Sequence, residues 1–258
     1  MQRLGQHFLR DKKILQRIVS KVDWKDFGAA IEIGPGEGVL TLLVQKELSP
    51  KSKMFIIEKD RRLAARLINQ FKDELMVEVC EGDALISLPE IVSQLPKKAY
   101  IIFGNIPYYI TGKLLRNLRD LEPQPKEILI MVQKEVGERM CAMPPRMNRL
   151  AASVQLWAKP QIVANISKKY FTPSPEVDSV VVKISPRPQS LLPKKEMDIL
   201  LKTLFQQPRK TVVNNLIALK FLRRAVIEEV MESLKIDLKK RPQDLSLEEM
   251  IGLASCLE

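Results

Sequence analysis

The tetrad Asn105-Ile106-Pro107-Tyr108 follows an apolar stretch and has side chains suited to holding a nucleobase. The side-chain carbonyl of Asn105 and the backbone carbonyl of Ile106 can both accept hydrogens from an exocyclic amine. The ring of Tyr108 can stack on the same base, as in enzymes that rotate a base out of its helix. The tetrad therefore predicts chemistry on an amino nitrogen. The alternative is a proline-containing strand exit with a buried tyrosine.

Methyl transfer is the reaction that this tetrad would support. The amine of adenine is a poor nucleophile because its lone pair is delocalised into the ring, and two carbonyl acceptors would localise that pair. Phe171 is a candidate for the opposite face of the base, with a core aromatic as the alternative. The one histidine, His7, is far from the tetrad in sequence. We therefore expect catalysis by positioning and electrostatics, without a general base.

A glycine-rich turn, Glu32-x-Gly34-x-Gly36-x-Gly38, lies between a predicted strand and a predicted helix. Its glycines permit positive φ angles and close approach of a ligand. Glu58 ends the next predicted strand, where a carboxylate can accept hydrogen bonds from ribose hydroxyls. Asp83 ends the third strand and can accept from an adenine amine. Acids at successive strand ends favour S-adenosylmethionine, because carboxylates would repel a pyrophosphate. The alternatives are a plain tight turn, a helix-capping Glu58 and a turn aspartate at Asp83.

Short apolar strands alternate with amphipathic helices over the first part of the chain, which is typical of a parallel sheet with helices on both faces. A first helix is predicted after Asp11, a plausible N-cap. The predicted strands are 29–33, 54–57, 77–79, 100–103 and 128–132, with helices at 39–48 and 62–71. Ligands of such sheets bind beyond the carboxyl ends of the strands. The glycine-rich turn, Glu58, Asp83 and the tetrad all follow those ends, so we expect them to meet.

The pattern changes after residue 160. Two extended segments, 161–166 and 178–184, flank a proline-rich connection and predict a terminal hairpin added to the sheet. Residues 185–189 have the composition of a linker, and the periodicity is helical from Lys194 onward. We therefore predict an S-adenosylmethionine-binding catalytic domain at 1–187 and a small all-α domain at 188–258. Residues 189–258 contain 12 basic and 10 acidic residues, so most of the positive excess lies in the first domain.

Composition favours a basic globular protein with a polyanionic partner. The 258 residues include 42 Lys and Arg against 31 Asp and Glu, a net charge of +11. Release of counterions from phosphates would drive its association with nucleic acid, although a merely basic enzyme is the alternative. The cysteines lack metal-ligand or disulfide spacing, and no apolar run is long enough to span a membrane. The start lacks the apolar stretch of a secretory signal. We expect a cytoplasmic monomer without metal.

The chain resembles the KsgA-type small-subunit (16S) rRNA adenine dimethyltransferases, with the macrolide-resistance Erm methyltransferases as close relatives. The similarity extends over nearly the whole sequence. Its motifs are Gly5-Gln6-His7-Phe8-Leu9-Arg10-Asp11, the glycine-rich turn, the tetrad, Gln133-Lys134-Glu135-Val136, Phe171-x-Pro173-x-Pro175-x-Val177-Asp178-Ser179, Phe205-x-x-x-Arg209-Lys210 and Arg241-Pro242-x-Asp244-Leu245. The first motif and the tetrad together are highly specific. The last three favour the KsgA branch over Erm.

This resemblance implies a Rossmann-like methyltransferase domain and the cofactor S-adenosylmethionine. The implied reaction is dimethylation of two adjacent adenosines near the 3′ end of 16S rRNA within the immature small ribosomal subunit, and the helical domain would help to bind the rRNA. At matching positions the family implies that His7 and Leu9 fold over the cofactor and that Gly34 lies beneath its methionine part. Glu58 would hold the ribose, and Asp83 would hold the adenine. Asn105 would bridge cofactor and target.

Three departures from the family pattern stand out. Tyr109 replaces the usual Asn or His, residues 143–149 lack a common aromatic-glycine pair, and Pro208 replaces an arginine before Arg209. We expect the first to alter the pocket rim and the others to weaken RNA contacts. Three alternative functions stay open: an Erm-like 23S rRNA adenine methyltransferase, a non-catalytic ribosome-assembly factor, and a DNA adenine methyltransferase. The last is disfavoured because such enzymes usually have Asp at the first tetrad position.

Overall fold

The computed structural model describes residues 7–95, 99–187, 194–219 and 223–256. The chain divides into two compact units: unit 1 is Met1–Gly137 with Gln161–Pro186, and unit 2 is Glu138–Pro160 with Arg187–Glu258. Gly5 and Gln6 of the first family motif, and residues 188–189 of the predicted linker, lie outside the described residues.

Nine strands and eleven α-helices occur within the described ranges. The strands are β1 (Phe8–Leu9), β2 (Ala29–Ile33), β3 (Lys53–Glu58), β4 (Val77–Glu81), β5 (Tyr100–Asn105), β6 (Glu127–Gln133), β7 (Ala158–Ile166), β8 (Phe171–Thr172) and β9 (Ser179–Pro186). The helices are α1 (Lys12–Val19), α2 (Val39–Glu47), α3 (Arg61–Gln70), α4 (Ala84–Ser93), α5 (Thr111–Arg119), α6 (Lys134–Met140), α7 (Arg149–Gln155), α8 (Lys194–Leu204), α9 (Val212–Leu216), α10 (Arg224–Ser233) and α11 (Leu247–Ser255).

A seven-stranded sheet organises unit 1, in the order β4-β3-β2-β5-β6-β9-β7. Strands β4, β3, β2, β5 and β6 pair in parallel, and β9 pairs antiparallel with β6. The predicted α/β class with a Rossmann-like sheet is therefore confirmed, and β9 and β7 occupy the sheet end predicted for the terminal strands. From β2 the chain first builds outward through β3 to β4. It then returns to add β5 on the other side of β2, which makes the β2–β5 boundary a topological switch point.

Local sequence explains why the elements of unit 1 begin where they do. The side chain of Asp11 accepts a hydrogen bond from the backbone nitrogen of Ile14 at 3.0 Å, which caps α1 as predicted. Strand β2 is buried along its whole length, Glu32 included, as expected for a central parallel strand that is covered on both faces. The Trp24 ring packs edge-on against Phe103 with centroids 5.2 Å apart, which anchors the α1 side of the core.

Unit 2 has a separate apolar core built by helices. Its buried residues come from α7 to α11, from the segments between them and from the segment before α7, and include Met147, Ala151, Leu200, Met231 and Met250. The sequence-based division placed residues 138–160 in the first domain, and that part of the prediction is wrong. Segment 138–160 belongs to unit 2 because α7 packs its small apolar face into this helical core. No helix among the described residues is long and apolar enough to cross a membrane.

Candidate active site

A single pocket of unit 1 opens at the carboxyl ends of β2, β3 and β5. Every site residue predicted from the sequence lines it, with the exception of Phe171: His7, Leu9, Glu32, Gly34, Gly36, Glu58, Asp83, Asn105, Ile106, Pro107 and Tyr108. The convergence follows from the strand order, because residues far apart in the chain end neighbouring parallel strands. No group of three or more potential metal-ligating side chains occurs in the ranges that the structure describes.

The glycine-rich turn wraps tightly around the pocket edge. Gly34 and Gly36 have φ angles of +66° and +60°, which L-residues with side chains rarely adopt. A Cβ atom on Gly34 would lie 3.3 Å from the backbone oxygen of Asn105, and one on Gly36 would lie 2.8 Å from the Phe8 ring. The glycines therefore serve both the turn and the close packing of the tetrad and the N-terminal residues around it.

Two buried acids lie side by side beneath this turn. Glu32 is 1% exposed, and its Oε2 has no hydrogen-bond partner among the described residues. Burial raises the pKa of Glu32 to about 8. The nearby Thr41 hydroxyl acts in the opposite direction, but it does not complete a hydrogen bond to the unpartnered Oε2. Glu58 accepts from the backbone nitrogens of Gly36 at 3.2 Å and Asp60 at 2.8 Å. Burial raises its pKa as well, against those hydrogen bonds.

Asp83 has two structural partners at the pocket edge. One carboxylate oxygen caps α4 by accepting from the backbone nitrogen of Leu85 at 3.0 Å, and the other lies 2.8 Å from Nζ of Lys59. The hydrogen bond from Lys59 is the main reason that the pKa of Asp83 is lowered. A ligand amine that binds Asp83 must therefore share it with Lys59 or displace that half-exposed side chain.

The tetrad is fixed by its backbone and by the N-terminal residues. Asn105 ends β5, and Ile106 donates its backbone N–H to the carbonyl of Met131 at 3.1 Å. The Nδ2 of Asn105 donates to the carbonyl oxygen of His7 at 3.1 Å, so its own Oδ1 is left for another donor. The Tyr108 hydroxyl lies 3.3 Å from Oγ of Ser179, which holds the ring at the pocket wall.

Residues His7–Arg10, here called the N-terminal segment, lie against the glycine-rich turn and the tetrad. Strand β1 pairs antiparallel with β8, and Nδ1 of His7 lies 2.8 Å from the carbonyl oxygen of Pro173. The His7 ring is stacked near Tyr108, with centroids 6.3 Å apart. Arg10 makes a bidentate ion pair with Glu37 at 2.6 and 2.9 Å. Phe8 and Glu37 line the pocket, and sequence reasoning assigned neither of them to the site.

Phe171 is the predicted site residue that the structure does not bring to the pocket. It is 4% exposed and belongs to the apolar core of unit 1, opposite Leu9 in the β1–β8 pair. Its position is that of the core aromatic considered as the alternative. An isolated two-residue strand has no periodicity that could have distinguished a core ring from a pocket ring.

A protein-family model described as ribosomal RNA adenine dimethylase matches residues 1–258. The chain belongs to the ribosomal RNA adenine dimethylase family. Relatives named ribosomal RNA small subunit methyltransferase A include one from Dehalococcoides mccartyi, 34% identical over 99% of this chain and 87% of the relative. Another, from a Synechococcus species, is 35% identical over 98% of this chain and 94% of its own length. The resemblance recognised from the motifs is thereby confirmed.

Two solved structures of methyltransferases agree with this family fold. A dimethyladenosine transferase from Plasmodium falciparum superposes with a TM-score of 0.78 at 30% identity, covering 96% of each chain. The 23S rRNA methyltransferase ErmE superposes with a TM-score of 0.74 at 22% identity, covering 97% of this chain and 99% of its own. The second likeness concerns the fold alone. The chain is thus a methyltransferase of the rRNA adenine dimethylase family in both sequence and architecture.

Proposed function

We propose that this protein transfers methyl groups from S-adenosylmethionine to N6 of two adjacent adenosines near the 3′ end of 16S rRNA, in the immature small ribosomal subunit. The observation that carries the proposal is the meeting of the tetrad with Glu32, Glu58 and Asp83 in one pocket at the switch point of the sheet. Relatives that match nearly the full chain and are named small-subunit rRNA methyltransferases support this substrate.

Several observations support S-adenosylmethionine as the cofactor of this pocket. Gly34 and Gly36, both at positive φ, line the pocket with backbone alone, which lets a ligand approach the turn closely. Glu32 presents a buried carboxyl oxygen without a partner, which is the kind of atom that a ligand satisfies. We assign Glu58 to the ribose, Asp83 to the adenine, and His7 and Leu9 of the N-terminal segment to the cover over the cofactor. When bound, the cofactor supplies an electrophilic methyl group.

The tetrad is assigned to the target adenosine. Oδ1 of Asn105 and the backbone oxygen of Ile106 accept the hydrogens of the exocyclic amine and hold them out of the ring plane, which localises the lone pair on the nitrogen. Tyr108 stacks on the base, an interaction worth about 1–3 kcal/mol for single-stranded bases. Pro107 fixes the turn between them. The apolar neighbours of the site, such as Met131 and Phe103, exclude water from the amine.

Electrostatic attraction between the positively charged protein and rRNA phosphates supports the proposed substrate. The net charge of +11 favours rRNA, and unit 2 is assigned to binding rRNA beyond the target nucleotides. We infer that the protein acts as a cytoplasmic monomer.

Primer extension on rRNA from a gene-deletion strain tests the substrate. Dimethylated adenines stop reverse transcriptase, so the stops near the 3′ end of 16S rRNA should disappear and return on complementation. An unchanged pattern there, with lost stops in 23S rRNA, would replace the proposal with the Erm-like alternative. Titration calorimetry with S-adenosylmethionine tests the non-catalytic alternative, which predicts no binding.

A further inference from the structure

Tyr109 is an exposed aromatic side chain at the rim of the active-site pocket. It is 61% exposed and directly follows Tyr108 in the short 3-10 turn Tyr108–Ile110. Both tyrosines line the same pocket, but the Tyr108 hydroxyl is directed to buried Ser179 whereas Tyr109 is open to solvent. The stacking assigned to Tyr108 leaves the second ring without a role.

Two basic side chains lie near this part of the pocket. Lys59 is 53% exposed, and its pKa is raised mainly by the hydrogen bond to Asp83, with a smaller contribution from the nearby Tyr109 hydroxyl. Lys113 is exposed on the first turn of α5, and its charge contributes to lowering the pKa of Asp83. Lys59, Tyr109 and Lys113, here called the rim patch, therefore combine a π-face with two cations.

An aromatic face next to cations is the combination that binds single-stranded nucleic acid, with the ring under a base and the cations near phosphates. Consecutive residues have Cα atoms about 3.8 Å apart, so Tyr108 and Tyr109 offer two rings at neighbouring positions. Successive nucleotides of one strand present two bases in the same way. Asp83 already neutralises part of the charge of Lys59, which leaves Lys113 as the stronger candidate for the phosphate.

We propose that Tyr109 stacks on the base adjacent to the adenosine held by the tetrad, while Lys113 contacts the intervening phosphate. This inference rests on the proposed function. Because the two target adenosines are adjacent, the rim patch holds one of them while the other is methylated. Tyr109 is thus a substrate-positioning residue that holds the nucleotide beside the target.

The test compares Tyr109→Ala, Tyr109→Leu and Tyr109→Phe on unmethylated small subunits. The expected result is a KM for the subunits raised roughly 5- to 150-fold by Ala and by Leu, the range that corresponds to about 1–3 kcal/mol of base stacking. Tyr109→Phe should keep the wild-type KM. Affinity for S-adenosylmethionine, measured by calorimetry without RNA, should not change. Ile86→Ala is the matched control, since Ile86 is 67% exposed on α4 and does not line the pocket.

The salt dependence of subunit binding tests the phosphate contact separately. Lys113→Ala should reduce the slope of log K against log salt by about 0.7, the contribution of one phosphate of a single strand. Lys51→Ala is the control, because Lys51 is exposed and lies just before the amino end of β3, whereas the pocket lies at the carboxyl ends of the strands.

Three results would overturn the inference: an unchanged KM for Tyr109→Ala, equal KM values for the Leu and Phe variants, or a matching loss of cofactor affinity that assigns Tyr109 to the cofactor. Failure of the proposed function looks different, because the wild-type protein itself would then fail to methylate small subunits.

Discussion

Replacing Glu32 with Gln should stabilise the ligand-free protein, and increasingly so as the pH rises. The carboxyl is buried without a partner for Oε2, and its pKa is raised to about 8 from an ordinary 4.5. An acid with a raised pKa holds its proton more tightly in the folded protein than in the unfolded chain. Stability from this group is therefore present below pH 4.5 and is lost as the pH rises to about 8.

The shift sets the size of the effect. A difference of 3.5 pKa units (8 minus 4.5) corresponds to about 5 kcal/mol at most, since each unit is about 1.4 kcal/mol. Relative to acidic pH, the wild-type protein should lose about 2 kcal/mol through this group by pH 6 and about 4 kcal/mol by pH 8. Glutamine has nearly the same shape and no titration, so Glu32→Gln should escape that loss.

Urea unfolding of both proteins at pH 6, 7, 8 and 9, without cofactor, measures the difference. The Glu32→Gln advantage should grow by about 2 kcal/mol between pH 6 and pH 8 and then level off. Glu47→Gln is the control, because Glu47 is an exposed acid on α2. A difference between Glu32→Gln and wild type that stays constant across this range would refute the reasoning, since it would mean that Glu32 is already ionised at pH 6.

Three further substitutions test the site. Gly36→Ala puts a Cβ on a residue with a φ of +60° and against the Phe8 ring. Hydrogen exchange in the N-terminal segment should therefore accelerate, and cofactor affinity should fall. Gly112→Ala is the control and should change neither, because there is open space around the added Cβ. Asp83→Asn keeps a side-chain oxygen for the α4 cap but loses the charge. The free energy of unfolding should stay within about 0.5 kcal/mol of wild type, while calorimetry should show cofactor affinity falling roughly tenfold or more. An unchanged affinity would mean that Asp83 only caps α4. Asn105→Ala should abolish methyl transfer in a radiolabel assay while filter binding detects nearly normal RNA affinity; loss of RNA binding would contradict the role assigned to Asn105.

Most of the sheet was predictable because its central parallel strands are mostly apolar. Strand β2 has the predicted bounds, whereas β5 runs on to Asn105 and β4 to Glu81. The added residues, Cys80, Glu81, Gly104 and Asn105, remain in the ladder through backbone pairing, which the pattern of side chains does not reveal. The β1–β8 pair was missed for a related reason: it joins two-residue strands at opposite ends of unit 1, and its register depends on the assembled fold.

The three acids, Glu32, Glu58 and Asp83, show which properties of the site are predictable from sequence and which are not. Their positions at strand ends followed from periodicity, but their ionisation did not. The alternative of a capping Glu58 fails because Asp60 caps α3, and Glu58 instead accepts the N–H of Gly36. For Asp83 the capping and ligand interpretations are compatible, since the cap uses one oxygen. The neutral state of Glu32 depends on burial by residues from several elements, which no local pattern contains.

The distribution of charge across the pocket suits both the cationic cofactor and the polyanionic substrate proposed above. Glu32 and Glu58 lie buried beneath the glycine-rich turn, whereas Lys59 and Lys113 are exposed beside the pocket. Buried acids with raised pKa values are costly to ionise in the empty protein, and an entering sulfonium or ammonium group lowers that cost. A phosphate would instead raise it. The interior therefore discriminates against RNA phosphates, and the exposed lysines attract them, so the two ligands do not compete for the same charges.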